Sequence, residues 1–269
     1  MLPPIDPTLL TLGPVTIHWY GILVVTGILL GATVAAYLAR RAGHDPADVW
    51  DMLLAAVVLG IVGARLEYVL TQPHLDYYRF HPEEAFYIWR GGLRIFGAIL
   101  GGMAGVLIYT RLRKLNPLTF LDFAAPGMAL GHAIGRWGNF INLELYGPPT
   151  TLPWGLDIPA AYRLAPYNDL VTYPASTRFH PAFLYESLLN LAICLLLVWA
   201  SEALRRRLKP GDIVLAYLAL YSIVRYGMDF LRTDGTSAQL LSLVLLSVAL
   251  TALAARHLLQ RRAATSPPT

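Results

Sequence analysis

The sequence predicts an all-α membrane protein: a bundle of about seven transmembrane helices with one long irregular outer loop. Three observations predict it. Of 269 residues, 56% are apolar and only 14% are charged, whereas soluble domains carry about 25% charged residues. Mean hydropathy is +0.50. Apolar runs close to the ~20 residues needed to cross a bilayer follow one another along the chain, leaving no room for a separate soluble domain.

The expected spans are residues 19–38, 49–70, 93–109, 118–140, 181–200, 213–230 and 238–254. The last is the cleanest, and the fourth and sixth each carry an arginine. The first 18 residues hold four prolines and no basic segment, so a cleavable signal peptide is not expected. The loop at about 141–180 is rich in proline and aromatic residues and is expected to lie on the membrane interface. A polar tail from about 263 is expected to be disordered, and the whole chain reads as one polytopic domain. The lone Cys194 sits in an apolar run, which excludes an internal disulfide and leaves no basis for a cysteine metal site.

Net charge is +4, and its distribution is that of a membrane protein rather than a nucleic-acid binder. Arg40 and Arg41, then Arg111, Arg113 and Lys114, then Arg205, Arg206, Arg207 and Lys209, then Arg256, Arg261 and Arg262 fill alternate connections. The intervening connections hold fewer basic residues over greater lengths. The positive-inside rule then predicts an outer N-terminus and a cytoplasmic C-terminus.

Charge inside the spans is the functional signal, because it costs about 2.5–3.5 kcal/mol per residue to insert. Arg136 lies 18 residues beyond 118, about 27 Å along its helix; Arg65 and Arg225 lie about 24 and 18 Å along theirs. Arg94 opens the third span. All four fall in the outer half, as do Tyr20, His180 and Glu186. Separate helices therefore bring polar groups to one depth, near the outer head groups, where guanidinium forks suit phosphate. Tyr221, Arg225, Asp229 and Arg232 share one helix face. Asp229 can neutralise one of the two arginines there and leave positive charge for an anionic ligand. The competing structural reading is an Arg–Asp pair that joins helices.

The run 136–147, RWGNFINLELYG, places Arg136 and Asn139 on one face, with Asn142, Glu144 and Gly147 at the outer end. It closely resembles the signature of the prolipoprotein diacylglyceryl transferases (GRxGNFxNxExxG). HWYG at 18–21, GARLEYVL around Arg65, Asp122, HPAFLYE at 180–186 and YSIVRYGMDFLR at 221–232 resemble further elements of that family. The resemblance implies transfer of the diacylglyceryl group of phosphatidylglycerol to the thiol of a lipobox cysteine in a prolipoprotein signal peptide. A thioether forms and glycerol phosphate leaves. It implies a bacterial cytoplasmic membrane location, with the lipid bilayer as partner, no nucleic acid, and neither metal nor other cofactor. On the matched positions, Arg136, Arg225, Tyr20, Asn139 and Glu144 would be catalytic. Gly147, Tyr221, Asp229, Arg232, Arg65, Asp122, His180 and Glu186 would join Arg136 in binding substrate.

This chain departs from the family pattern at two positions. Phe96 stands where the family usually has a histidine in its G-G-x-x-x-H-G-G element, and Phe183 where it usually has glutamine. His18, His180 and His132 are the remaining candidate proton acceptors. The alternatives are a divergent member that binds anionic phospholipid with lost or altered activity, and an anionic-lipid transporter or scramblase. A transport pathway would place polar residues through the midplane and inner half, whereas here they gather at the outer half.

Overall fold

The computed structural model describes residues 6–13, 15–71, 74–233 and 238–265. Eight α-helices account for most of them: α1 (Trp19–Arg41), α2 (Pro46–Leu70), α3 (His74–Phe80), α4 (Ile95–Leu112), α5 (Pro117–Ile141), α6 (Ala182–Ala203), α7 (Asp212–Asp229) and α8 (Gln239–Thr265). Each of the seven expected spans is helical. Five are long and apolar enough to cross a bilayer by length and composition: α1, α2, α4, α6 and the Gln239–Leu258 part of α8. The other two, α5 and α7, carry the polar residues of interest. Of the expected tail, residues up to Thr265 continue α8, and 266–269 lie outside the described residues.

The chain divides into two compact units, residues 36–121 and residues 1–35 with 122–269. The smaller unit is built on α2 and α4, which pack antiparallel through glycine. A β-carbon on Gly105 would meet the Ala55 carbonyl oxygen at 2.6 Å, and one on Gly60 would meet that of Ala98 at 3.3 Å. Small residues at these positions let the backbones approach closely, the usual substitute for hydrophobic driving force inside lipid. Glu67 closes the start of α4 by accepting from the Gly97 amide at 2.5 Å. Next to it, Phe96 is 66% exposed.

In the larger unit, α5 is the central element, and its partners can be read from paired residues. Helix α1 runs antiparallel to it. A β-carbon on Gly31 would lie 2.6 Å from the Gly127 oxygen, Gly27 faces Gly131, and the Tyr20 ring fills the space beside Gly138. Helix α6 is also antiparallel: Ser187 Oγ donates to the Ala133 carbonyl at 2.8 Å and accepts from Trp137 Nε1 at 3.2 Å. Below them Ala125, Ala129, Ile193, Cys194, Leu197, Ile213 and Tyr217 form a common core.

Helix α7 runs parallel to α5. The Asp122 carboxylate accepts from the amides of Gly211 at 2.6 Å and Val214 at 2.8 Å, capping the orphan donors at the start of α7. Further along, the Tyr217 hydroxyl meets His132 Nδ1 at 3.0 Å. Beyond both helices, Thr233 Oγ1 donates to the Tyr146 carbonyl at 2.7 Å.

Two segments hold more order than their composition announced. Thr8–Leu12 (β1) and Val15–His18 (β2) pair antiparallel ahead of α1. The loop 141–180, expected to be irregular, carries Pro149–Thr150 (β3), Leu156–Asp157 (β4) and Arg178–Phe179 (β5) in the order β3-β5-β4. Tyr146, Leu156, Ile158, Phe179 and Phe183 form a small core beneath them.

Candidate active site

The parallel register of α5 and α7 fixes the level of their arginines. Residue 122 meets 211 and 214, residue 132 meets 217, and residue 146 meets 233. These contacts are offset by 85 to 92 residues, and the 89 between Arg136 and Arg225 falls inside that range, so the two arginines stand at about the same level on neighbouring helices. One turn earlier on each, His132 and Tyr221 stack with ring centroids 5.0 Å apart. His132 is thus held between two tyrosines as a packed, hydrogen-bonded histidine.

Arg136 begins a continuous polar chain. Its Nε forms an ion pair with Glu186 at the start of α6, and its Nη1 donates to Asn139 Oδ1 at 3.1 Å. Asn139 Nδ2 donates onward to Glu144 Oε1 at 2.7 Å, and Asn142 Nδ2 reaches the same oxygen at 3.4 Å. The Glu144 amide donates back to the Asn139 carbonyl at 3.0 Å. The Arg136 side chain keeps 19% of its surface exposed.

Glu144 is set by unusual backbone. Leu143 and Leu145 on either side have φ of +58° and +56°, a region that costs a branched residue about 1–3 kcal/mol. The chain beyond holds the strained turn. Tyr146 is buried and its hydroxyl accepts from the Leu164 amide at 2.5 Å. Burial pushes its phenol above the ordinary range, so the hydroxyl stays protonated. Gly147 donates its amide to the His180 carbonyl at 2.9 Å. A β-carbon on Gly147 would lie 2.7 Å from His180 Cβ and 2.9 Å from the Leu231 oxygen, so only glycine fits that crossing. His180 in turn places Nδ1 3.2 Å from the Tyr185 hydroxyl.

On α7, Arg225 Nη1 lies 2.5 Å from Asp229 Oδ1. Neither atom has an aligned hydrogen bond among the described residues, so the contact is chiefly electrostatic. Asp229 Oδ2 is held by the Ala238 amide at 2.7 Å. The arginine that Asp229 neutralises is therefore Arg225, and Arg232 follows, half-buried, just past the helix end.

The structure thus gathers Arg136, Asn139, Glu144 and Glu186 into one network, pairs Arg225 with Asp229, and sets Tyr20 against the Gly138 face of α5. Two expected site residues have other engagements. Asp122 lies 14 residues before Arg136, about 21 Å down the helix, where it caps α7. Arg65 is buried and bonded to its own unit. Its Nε donates to Ala85 O at 2.7 Å, Nη1 to Gly91 O at 2.9 Å and Gly92 O at 3.1 Å, and Nη2 to Glu84 O at 2.8 Å and Tyr78 Oη at 3.3 Å. A guanidinium has five N–H donors, and all five are matched here. Arg65 thus staples the α2–α4 connection.

Sequence reasoning passed over Trp137, Ser187, Tyr146 and Thr233, which position this cluster. It also passed over Arg163, which donates to the carbonyls of Ile158, Tyr173, Pro174, Ala175 and Thr177 and so closes the outer loop. Tyr146 could have been found from its place inside the 136–147 run. Arg163 leaves no such signal, because its partners are backbone oxygens.

Comparison with known proteins agrees with the signature. The family pattern described as prolipoprotein diacylglyceryl transferase matches residues 7–255. A protein of Chloroflexus aggregans named phosphatidylglycerol–prolipoprotein diacylglyceryl transferase is 42% identical, over 88% of this chain and 81% of its own. One of the same name from Synechococcus elongatus is 44% identical over 85% and 77%, and one from Geobacillus kaustophilus 39% identical over 92% of each. With a helical membrane fold and the signature network of Arg136, Asn139 and Glu144 in place, this chain belongs to the prolipoprotein diacylglyceryl transferase family.

Proposed function

We propose that this protein transfers the diacylglyceryl group of phosphatidylglycerol to the lipobox cysteine of prolipoproteins. The cysteine thiolate attacks the glyceryl carbon that bears the phosphate ester. The C–S bond forms as the C–O bond breaks, the electron pair goes to the phosphate oxygen, and glycerol phosphate departs. Arg136 and Arg225 hold the phosphate and stabilise the charge of the leaving group. Asn139 and Glu144 fix the Arg136 guanidinium, and Tyr20, Tyr221 and Gly147 shape the surrounding pocket. Glu186 and Asp229 balance the two cations until the lipid phosphate takes up part of their charge. No step calls for a metal or a dissociable cofactor.

The observation that carries this reading is the level pairing of Arg136 and Arg225 on parallel helices, inside a chain that bears the family signature. Both keep some exposure, 19% and 14% of the side chain, and both have carboxylate partners that an anion can share. The basic connections argue for an outer N-terminus and a cytoplasmic C-terminus in the bacterial cytoplasmic membrane. The cluster then faces the outer leaflet, where a lipobox cysteine emerges.

The test is complementation. A bacterium depleted of its own diacylglyceryl transferase expresses this chain, and the mass of a model prolipoprotein is followed. The expected result is a gain of one diacylglyceryl unit, lost in Arg136→Ala and Arg225→Ala. No gain from a well-expressed, membrane-inserted chain would overturn the assignment.

A further inference from the structure

We infer that the far end of α6 carries a second lipid site, which binds an anionic phospholipid in the leaflet opposite the Arg136 cluster. Helix α6 has 22 residues and is about 33 Å long, close to the ~30 Å of a bilayer's hydrocarbon core. Its first turns hold Glu186 against Arg136. Its last turn runs into a tight turn over 204–207, so the two ends lie in opposite leaflets.

That turn presents Arg205, Arg206 and Arg207, all exposed. Among the described residues their guanidiniums make no hydrogen bond or ion pair. With Glu202, Ala203 and Leu204 they line a cavity of about 460 Å³, within the range of small-ligand sites. One oxygen-rich anion is the complement of three unmatched planar forks.

The surface of α6 that leads to this cavity identifies the anion as a lipid. Leu188, Leu191, Leu195 and Trp199 are exposed and spaced by three, four and four, a single helix face. The stripe runs down to Trp199, and the helix then ends at Ala203, directly before the turn that carries Arg205, Arg206 and Arg207. An acyl chain laid along the stripe delivers a phosphate to the arginines, with Trp199 at the interfacial depth that tryptophan favours. Free phosphate would use the cavity and leave the stripe uncovered. The bound lipid is not a substrate, since it lies a full helix length from Arg136; it holds the α6–α7 connection at the membrane surface.

Native mass spectrometry of the full chain in neutral detergent tests this, with dioleoyl phosphatidic acid and dioleoyl phosphatidylcholine as probes. The wild type should retain the anionic lipid preferentially. R205K/R206K/R207K keeps the charge that orients the chain but removes the forks, and should retain about tenfold less. R136K/R225K should remove a different, independent equivalent. Equal retention by wild type and triple variant, equal retention of both lipids, or full displacement by inorganic phosphate would each overturn the site. The triple variant should still complement in the prolipoprotein assay. Failure of the wild type there would count against the proposed activity and leave this result standing.

Discussion

Both units place arginines near the ends of long helices, one in the smaller unit and two in the larger, and they treat them in opposite ways. In the smaller unit, Arg65 donates all five of its N–H groups, four to backbone carbonyls and one to the Tyr78 hydroxyl. In the larger unit, Arg136 and Arg225 are held by the carboxylates of Glu186 and Asp229. A carbonyl cannot release its donor without leaving a buried polar group unmatched, at a cost of about 1–3 kcal/mol each. A carboxylate can share its cation with an incoming phosphate, because the site then gains an anion as it loosens an anion. Depth alone therefore does not separate these arginines; the type of acceptor does, and on the proposed function it divides a fastener from phosphate-binding groups.

The sharpest way to break that distinction is to exchange lysine for Arg136. Charge is kept and the fork is lost, so transfer to a model prolipoprotein should fall by about 100-fold or more, with thermal stability in detergent close to wild type. Near-normal lipidation would remove Arg136 from phosphate binding. Arg65→Ala should do the reverse. At least four acceptors lose their donor, and we expect a loss of about 3 kcal/mol or more in thermal unfolding, with the rate per folded molecule unchanged. If Arg65→Ala instead spared stability and abolished transfer, the fastener assignment would fall.

Asn139→Ala, which cuts the link between Arg136 and Glu144, should lower kcat by about tenfold with little change in KM; an unchanged kcat would show that Arg136 needs no such support. The smallest effect is expected at Phe96. If phosphate-side electrostatics carry most of the rate, Phe96→His adds only a proton acceptor and should raise turnover by about tenfold or less. No rise, or a fall, would mean that proton removal is managed without a group at this position.

Much of this was legible in the sequence. The spans appear as helices close to their expected ends, and the polar residues of 136–147 meet in the network that their spacing suggested. Glu186 was expected at the right depth but not as the partner of Arg136, since an antiparallel contact between α5 and α6 is written in no single segment. The fates of Arg65 and Arg163 were hidden for a different reason: their acceptors are main-chain oxygens, which every residue has. Asp122 was visible as a charge, yet its targets are the bare amides at the start of a helix some 90 residues later. The strands of the outer loop are two residues each, too short for alternation to register.

The Asp122 cap also has a bearing on the order of synthesis. Helices α5 and α7 are the two spans that do not reach the apolarity of the others, and the start of α7 is satisfied by a side chain of α5. When α7 leaves the ribosome, its unpaired amides need a partner that was made earlier and is already waiting in or beside the bilayer. Insertion of α7 then becomes a docking event on an existing scaffold rather than a partition from water into lipid. A break in the chain between α6 and α7 should leave a fragment that α8 still anchors, but whose α7 is shielded from a water-soluble labelling reagent only when the first part of the protein is present.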